Sequence, residues 1–306
     1  MMEKNICFDE NSSPEKVIDK LTRLAKEGNY VFRGYEKQDQ LLPSIIRDKD
    51  LQNCENILLH DFEKYGSHYF HANTPIDFLS YAQHFGLPTR LLDFTYNPFI
   101  ALAFATNSKK YSKNNTYIDD RTYYYIRVAS VNDNILLNAL PNPDGTYISK
   151  YNQVDSMATR ACQAINIISD MFGKNNLNYK RELLISAMPP IEGINDELAL
   201  DKKIQQRRIL FIDPNQSNQR IIMQQGLFMI PYTLDQEKHK AILEDNTSLI
   251  MIHENMRPQL RKYLDTLGFN SFRLMPDLAS ICEAVKRKTI DDRSDRSRNF
   301  KKKRDI

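Results

Sequence analysis

Ala82-Gln83-His84-Phe85-Gly86-Leu87-Pro88-Thr89-Arg90-Leu91-Leu92-Asp93-Phe94-Thr95 sets polar and charged side chains among apolar ones, between two helical patterns. The segment is too apolar for a solvated loop. Buried polar groups are costly unless paired, so the stretch predicts a site or a stiff internal network. On its upstream side a helix begins near Thr74-Pro75 and carries Phe78, Tyr81, Ala82 and Phe85 to a stop at Gly86. On its downstream side Asn97-Pro98 caps a helix in which Ile100, Ala101, Ala103, Phe104 and Ala105 are all apolar and mostly small. That composition permits close packing against a sheet.

Further out, Ser13 before Pro14, or Ser12 with Glu15 as a capping box, starts a helix. Val17, Ile18, Leu21 and Leu24 share one face of it, and Gly28 ends it. Asn29 to Phe32 reads as a strand that delivers Arg33 and is broken by Gly34. Another helical pattern covers 56–71. Strands are expected at Tyr123–Val131, Leu183–Met188, Ile209–Ile212, Ile221–Ile230 and Leu249–Ile252. A helix is expected over 257–267 and a last one from near Asp277, with loops at 113–120 and 193–200. The class is α+β, with helices gathered in the N-terminal half and strands in the C-terminal half.

The chain has 306 residues, 41% hydrophobic and 26% charged, ordinary values for a globular protein. Its net charge of +3 is uneven: residues 286–306 hold ten Lys or Arg against four Asp, so the preceding body is slightly acidic. We read 1–285 as one domain and 286–306 as a basic tail able to meet nucleic-acid phosphate by charge alone, or to act as a solubilising end. Cys7, Cys54, Cys162 and Cys282 lack metal-ligand or redox spacing. The start lacks a signal-peptide core, and no apolar run reaches the roughly 18 residues of a membrane span. A reducing cytoplasm is the expected setting.

Candidate chemistry clusters in the opening stretch. Arg33 presents a planar fork suited to phosphate or carboxylate, or an ion pair with Asp93. Gly34 admits a ligand or a backbone closely. His84 is a proton carrier or a packing residue. Thr89, Arg90, Asp93 and Thr95 form the densest group, with Arg90 and Asp93 clamping the turn after Pro88 or facing a ligand. Thr95, just before a helix start, is placed to bond a ribose or phosphate. Gln224-Gln225-Gly226 interrupts an apolar strand, as a bulged edge or a ligand contact. His68 and His71 lack the Glu of a zinc-protease pattern, and no metal site is expected. A Walker loop, a dinucleotide fingerprint and a nucleophile elbow are all missing.

Phe32-Arg33-Gly34, Leu42-Pro43-Ser44 with Arg47, and the run from Gln83 to Ala105 resemble the FRG family. Arg220-Ile221, Gln225-Gly226-Leu227-Phe228, Leu267-Gly268 and Met275-Pro276-Asp277-Leu278 fit in order. A more distant resemblance is to ADP-ribosyltransferases of the arginine–serine–glutamate type. Arg33-Gly34 is similar to their first motif, and Asp93-Phe94-Thr95 with the helix after it to their second. Gln224 or Gln225 takes the place of their glutamate. This resemblance implies a split sheet, NAD as substrate and transfer of ADP-ribose to a macromolecule or water, as in a toxin or antiviral defence effector. Arg33, Asp93, Thr95, Gln224 and Gln225 are the implied catalytic group. Arg33, Gly34, Gln83, His84, Thr89, Arg90 and Thr95 are the implied NAD contacts. An amide cannot replace a carboxylate in charge or as a base, so Asp93 or Glu182 serves instead, or the protein binds a nucleotide, a nucleic acid or a protein partner without turnover.

Overall fold

The computed structural model describes residues 4–51, 54–70, 75–107, 122–131, 134–138, 209–214, 219–231, 234–278 and scattered positions from 281 to 289. The expected strand at 183–188, both expected loops, Glu182, His71, Cys162 and nearly all of the basic tail lie outside the described residues. Eight strands form one mixed sheet: β1 (Asn5–Phe8), β2 (Tyr30–Tyr35), β3 (Leu92–Thr95), β4 (Tyr123–Ser130), β5 (Ile135–Asn138), β6 (Leu210–Asp213), β7 (Gly226–Ile230) and β8 (Thr247–His253). Their order is β1-β8-β4-β2-β3-β7-β6-β5, with β1/β8 and β5/β6 parallel and the other neighbours antiparallel. The class is α+β as expected, but the sheet is continuous rather than split. Among the described residues, strands occur in the N-terminal half as well, β1 to β5 all preceding residue 139.

Five helices precede β4: α1 (Pro14–Glu27), α2 (Ser44–Arg47), α3 (Glu55–Gly66), α4 (Pro75–His84) and α5 (Pro98–Ala105). The later ones are α6 (Gln219–Gln224), α7 (Gln236–Asn246), α8 (Arg257–Thr266) and α9 (Ser271–Leu274). In α1 Pro14 occupies the first turn and Gly28 closes the helix at φ 72°. The Ser13 side chain makes no capping bond, and Ser12 bonds Asp9 instead. Val17, Leu21 and Leu24 are fully buried, each worth roughly 1.5–3 kcal/mol of transfer free energy before ordering costs.

Strand alternation sorts the sheet into two faces. Phe32, Tyr124, Ile126, Val128, Ile250 and Ile252 pack under α1, α5 and α8. Leu210, Ile212, Phe228 and Ile230 lie on the same face beneath Leu59 of α3 and Phe78 and Leu79 of α4. Val31, Tyr35, Leu92, Phe94, Ala129, Phe211, Leu227 and Met229 line the opposite face, with Leu243 of α7.

Gly34 does not break β2, which runs on to Tyr35 opposite β4. Its role is close approach: a Cβ there would lie 1.7 Å from the Ala101 carbonyl oxygen. The small side chains of α5 thus let that helix rest its backbone on the strand. Asn97 caps α5 by accepting from the Phe99 N–H at 2.9 Å. At the other end Arg257 and Arg261 donate to the Thr106 and Ala103 carbonyls, which lack partners within the helix.

The expected strand over Ile221–Ile230 is half wrong. Its first part is helix α6, and Gln225 turns into β7 with φ 46°. A short run such as Ile221-Ile222-Met223 has no period of its own. Only Ile221 and Gln224, three apart, are buried, while Ile222 and Met223 stay exposed, a helical spacing. Strands β1 and β5 and helices α2, α7 and α9 were not expected, being short or weakly patterned.

Candidate functional site

A cleft of about 380 Å³, open to solvent, lies on the α5-bearing face of the sheet. Ser80, Gln83 and His84 come from the last turns of α4, and Asp93 and Phe94 from β3. Arg220, Ile221 and Gln224 come from α6, and Gly226, Leu227 and Phe228 from β7. Helical spacing brings Ser80, Gln83 and His84 to one side of α4. Register places Asp93 opposite Phe228. That figure includes open solvent, and the enclosed part, about 30 Å³, is of the order of one water molecule, so the cleft is a shallow hollow that would enclose only the edge of a ligand.

The polar residues of the opening stretch form a directed chain. The Leu91 N–H donates to Thr89 Oγ1 at 3.3 Å, and the Thr89 hydroxyl donates to Gln83 Oε1 at 2.7 Å. Gln83 Nε2 then donates to Asp93 Oδ1 at 2.8 Å. Because the Asp93 carboxylate can only accept, the amide of Gln83 has one sensible orientation. Among the described residues, the second Asp93 oxygen has no hydrogen-bond partner. Thr89 itself is fully buried and bonded by its backbone to Ser44, so it supports the cleft without lining it.

His84 is half-buried, and its Nδ1 is enclosed without a partner. Burial pushes its pKa below the ordinary histidine value, and the positive charge of Arg220 pushes the same way, against a smaller pull from Asp277. The imidazole is therefore neutral at neutral pH.

Four of the residues picked from sequence line this cleft: Gln83, His84, Asp93 and Gln224. The rest are committed elsewhere. Arg90 is buried in an ion pair with Glu55, its Nε and Nη2 both donating to the carboxylate, with Nε to Oε2 at 2.9 Å. It neither clamps Asp93 nor faces a ligand. Arg33 does not pair with the Asp93 carboxylate. It donates to the Asp93 backbone oxygen at 2.7 Å and to the Gln40 oxygen at 2.7 Å. The reason is parity: Arg33 shares a face with Val31 and Tyr35, and the Asp93 side chain leaves the other face.

Thr95 donates to the Gln224 oxygen at 2.7 Å and accepts from Asn97 N–H at 3.0 Å, so both sides of its hydroxyl are used. It pins the corner between α6 and β7 to the start of α5. The Gln224 amide, though it borders the cleft, donates to the Leu274 oxygen at 2.8 Å. Gln225 is exposed on its turn, and its backbone oxygen takes the Tyr96 N–H. The guanidinium, hydroxyl and amide expected to converge on one ligand therefore do not do so.

Arg220 and Ser80, which line the cleft, were not picked from the sequence. Arg220 stood in a motif quoted for the family resemblance, but reading its segment as a strand hid the helix that turns it toward His84. Among the described residues, no group of three or more His, Cys, Asp or Glu is placed to hold a metal ion, and no helix is long and apolar enough to cross a membrane.

No significant match to the chain arises among curated proteins or among solved structures. A family match is carried by the segment that supplies β2, α4, β3 and α5, and with them Gln83, His84 and Asp93: residues 28–114 match the FRG domain.

Proposed function

We propose that the cleft binds the nucleoside end of a nucleotide and acts on NAD at the bond between nicotinamide and ribose. The observation that carries this reading is the Asp93 carboxylate, held by Gln83 through one oxygen with the other unpartnered beside His84 and Arg220. In the reaction the C–N bond breaks, and its electron pair leaves with neutral nicotinamide. The ribose carbon becomes electron-poor, and a fixed carboxylate stabilises that charge as it develops. Water or a macromolecular hydroxyl, amine or guanidine then forms the new bond, and its proton passes to neutral His84 or to Asp93. Arg220 is the cation for the phosphate. This reassigns the roles that sequence resemblance gave to Arg33, Arg90 and Thr95. By the same resemblance, the setting is a toxin or defence effector acting on a macromolecular acceptor.

The test is chromatographic measurement of nicotinamide released from NAD, with and without cell extract as acceptor. We expect Asp93→Asn to lower release at least about 100-fold and Gln83→Leu to lower it less. Equal release by Asp93→Asn, or none by the wild type, overturns catalysis. A second reading, nucleotide binding without turnover, is favoured by the amides at positions 224 and 225. Calorimetric NAD binding with no nicotinamide release supports it.

A further inference from the structure

We infer that the face of the sheet opposite the cleft carries a second site, an oxyanion site built from Arg127, Arg33 and Tyr35, and that its ligand is a phosphoryl group. Arg33 on β2 and Arg127 on β4 are register partners, so their side chains leave the sheet together, from backbones about 4.5–5.5 Å apart. Tyr35 is two residues beyond Arg33, on the same side. Arg127 is 5% exposed and Tyr35 2%. Arginine stays charged when buried, and a buried charge needs a partner.

The described residues supply no direct ion pair to either arginine, although the Asp93 charge supports Arg33 without touching it. Arg33 bonds only neutral carbonyls. Arg127 donates Nη1 to the Thr247 hydroxyl at 3.3 Å and interacts with the Tyr35 hydroxyl, and its Nε has no acceptor. Thr247 gives its own proton to the Leu243 oxygen, so it has none to offer an anion. The Tyr35 hydroxyl lies near enough to Arg127 for that charge to oppose the upward push of burial on its pKa, yet makes no hydrogen bond of ordinary geometry. The positive field reaches further: His239, held down chiefly by burial, is lowered again by Arg33.

The groups left over are mainly donors: the free N–H groups of two guanidiniums, with one phenol that can donate as well as accept. Such a lining matches a guest that only accepts and carries negative charge. Two like charges and donors from three side chains suit a tetrahedral dianion better than a planar carboxylate. Tyr125, Leu249 and Met251 on this face are only half-buried, so the described residues leave it unsealed.

The test is calorimetric titration of the full chain at constant ionic strength, using inorganic phosphate, ADP and acetate as probes. We expect saturable phosphate binding, at least 100-fold weaker in Arg127→Met and about ten-fold weaker in Tyr35→Phe, but retained in Arg220→Ala. Retention in Arg220→Ala separates this site from the cleft. ADP binding tighter than phosphate, with the same two losses, assigns the phosphoryl group to a nucleotide; equal affinity assigns it to the free ion. Should Arg127→Met fail to fold, Tyr35→Phe decides alone, since it removes one oxygen and leaves the packing. Phosphate binding that is absent, or unchanged in Tyr35→Phe and Arg127→Met, or replaced by acetate binding, overturns the inference.

Discussion

Gly34→Ala gives the sharpest test of how the Arg33-Gly34 step is used. The new Cβ would sit 1.7 Å from the Ala101 carbonyl oxygen, 2.6 Å from its carbon and 2.9 Å from the Ala105 nitrogen. Ordinary contact begins at 3.4 Å, so α5 would have to recede by about 1.7 Å, the gap between those figures. All three clashing atoms are backbone, and no rotamer change relieves them. Ile100, Ala101, Leu102, Ala103 and Ala105 are buried against the same layer, so retreat of the helix also opens voids around them. Overpacking costs typically 1–3 kcal/mol. With a rigid helix as the obstacle we expect about 3 kcal/mol or more, enough to consume much of the roughly 5–15 kcal/mol that stabilises an ordinary domain. Urea unfolding followed by far-UV circular dichroism reads this directly. Gly34→Ser should be at least as damaging. A loss below about 1 kcal/mol for Gly34→Ala would mean that α5 does not rest on β2, and the packing argument would fall.

Other perturbations separate structure from site. Arg90→Met should cost about 3–5 kcal/mol, because Glu55 is left charged and buried; adding Glu55→Leu should recover most of it, and unfolding of the two variants checks both statements. His239 is buried, its Nε2 donating to the Leu41 oxygen at 3.1 Å, and burial holds its folded pKa below 6.5. The folded state therefore resists protonation, so this group's stabilisation is full above pH 6.5 and declines as pH falls below it; His239→Gln should flatten that decline in urea unfolding between pH 7.5 and 5.5. Gln225→Gly should be neutral or stabilising by up to about 1 kcal/mol, since φ 46° suits glycine, measured by melting temperature; a clear loss would show that the Gln225 side chain contributes.

Much of the scaffold was legible in local chemistry. Pro14 with Gly28 bracketed α1, Asn97-Pro98 announced α5, and the small residues of α5 foretold its close seat on a sheet. Those signals act over one or two turns, so one-dimensional spacing captures them. The polar stretch from Gln83 to Asp93 was also recognisable as a network or a site, and the network is there. Thr89 and Gln83 supply the network, while Gln83, His84 and Asp93 border the cleft.

Which residue does which job was settled by the tertiary structure. Arg33, Arg90 and Asp93 look alike as candidates along the chain, because a charged residue in an apolar context signals burial without naming its partner. Arg90 found Glu55, 35 positions away, a pairing no local pattern encodes. Strand parity sent Arg33 and the Asp93 carboxylate to opposite faces of one sheet, and a helix where a strand was expected turned Arg220 toward His84. Local sequence specifies helix ends and close-packing glycines because their causes lie within a few residues. The convergence of a site depends on register and on which face each side chain leaves, and those are properties of the assembled sheet.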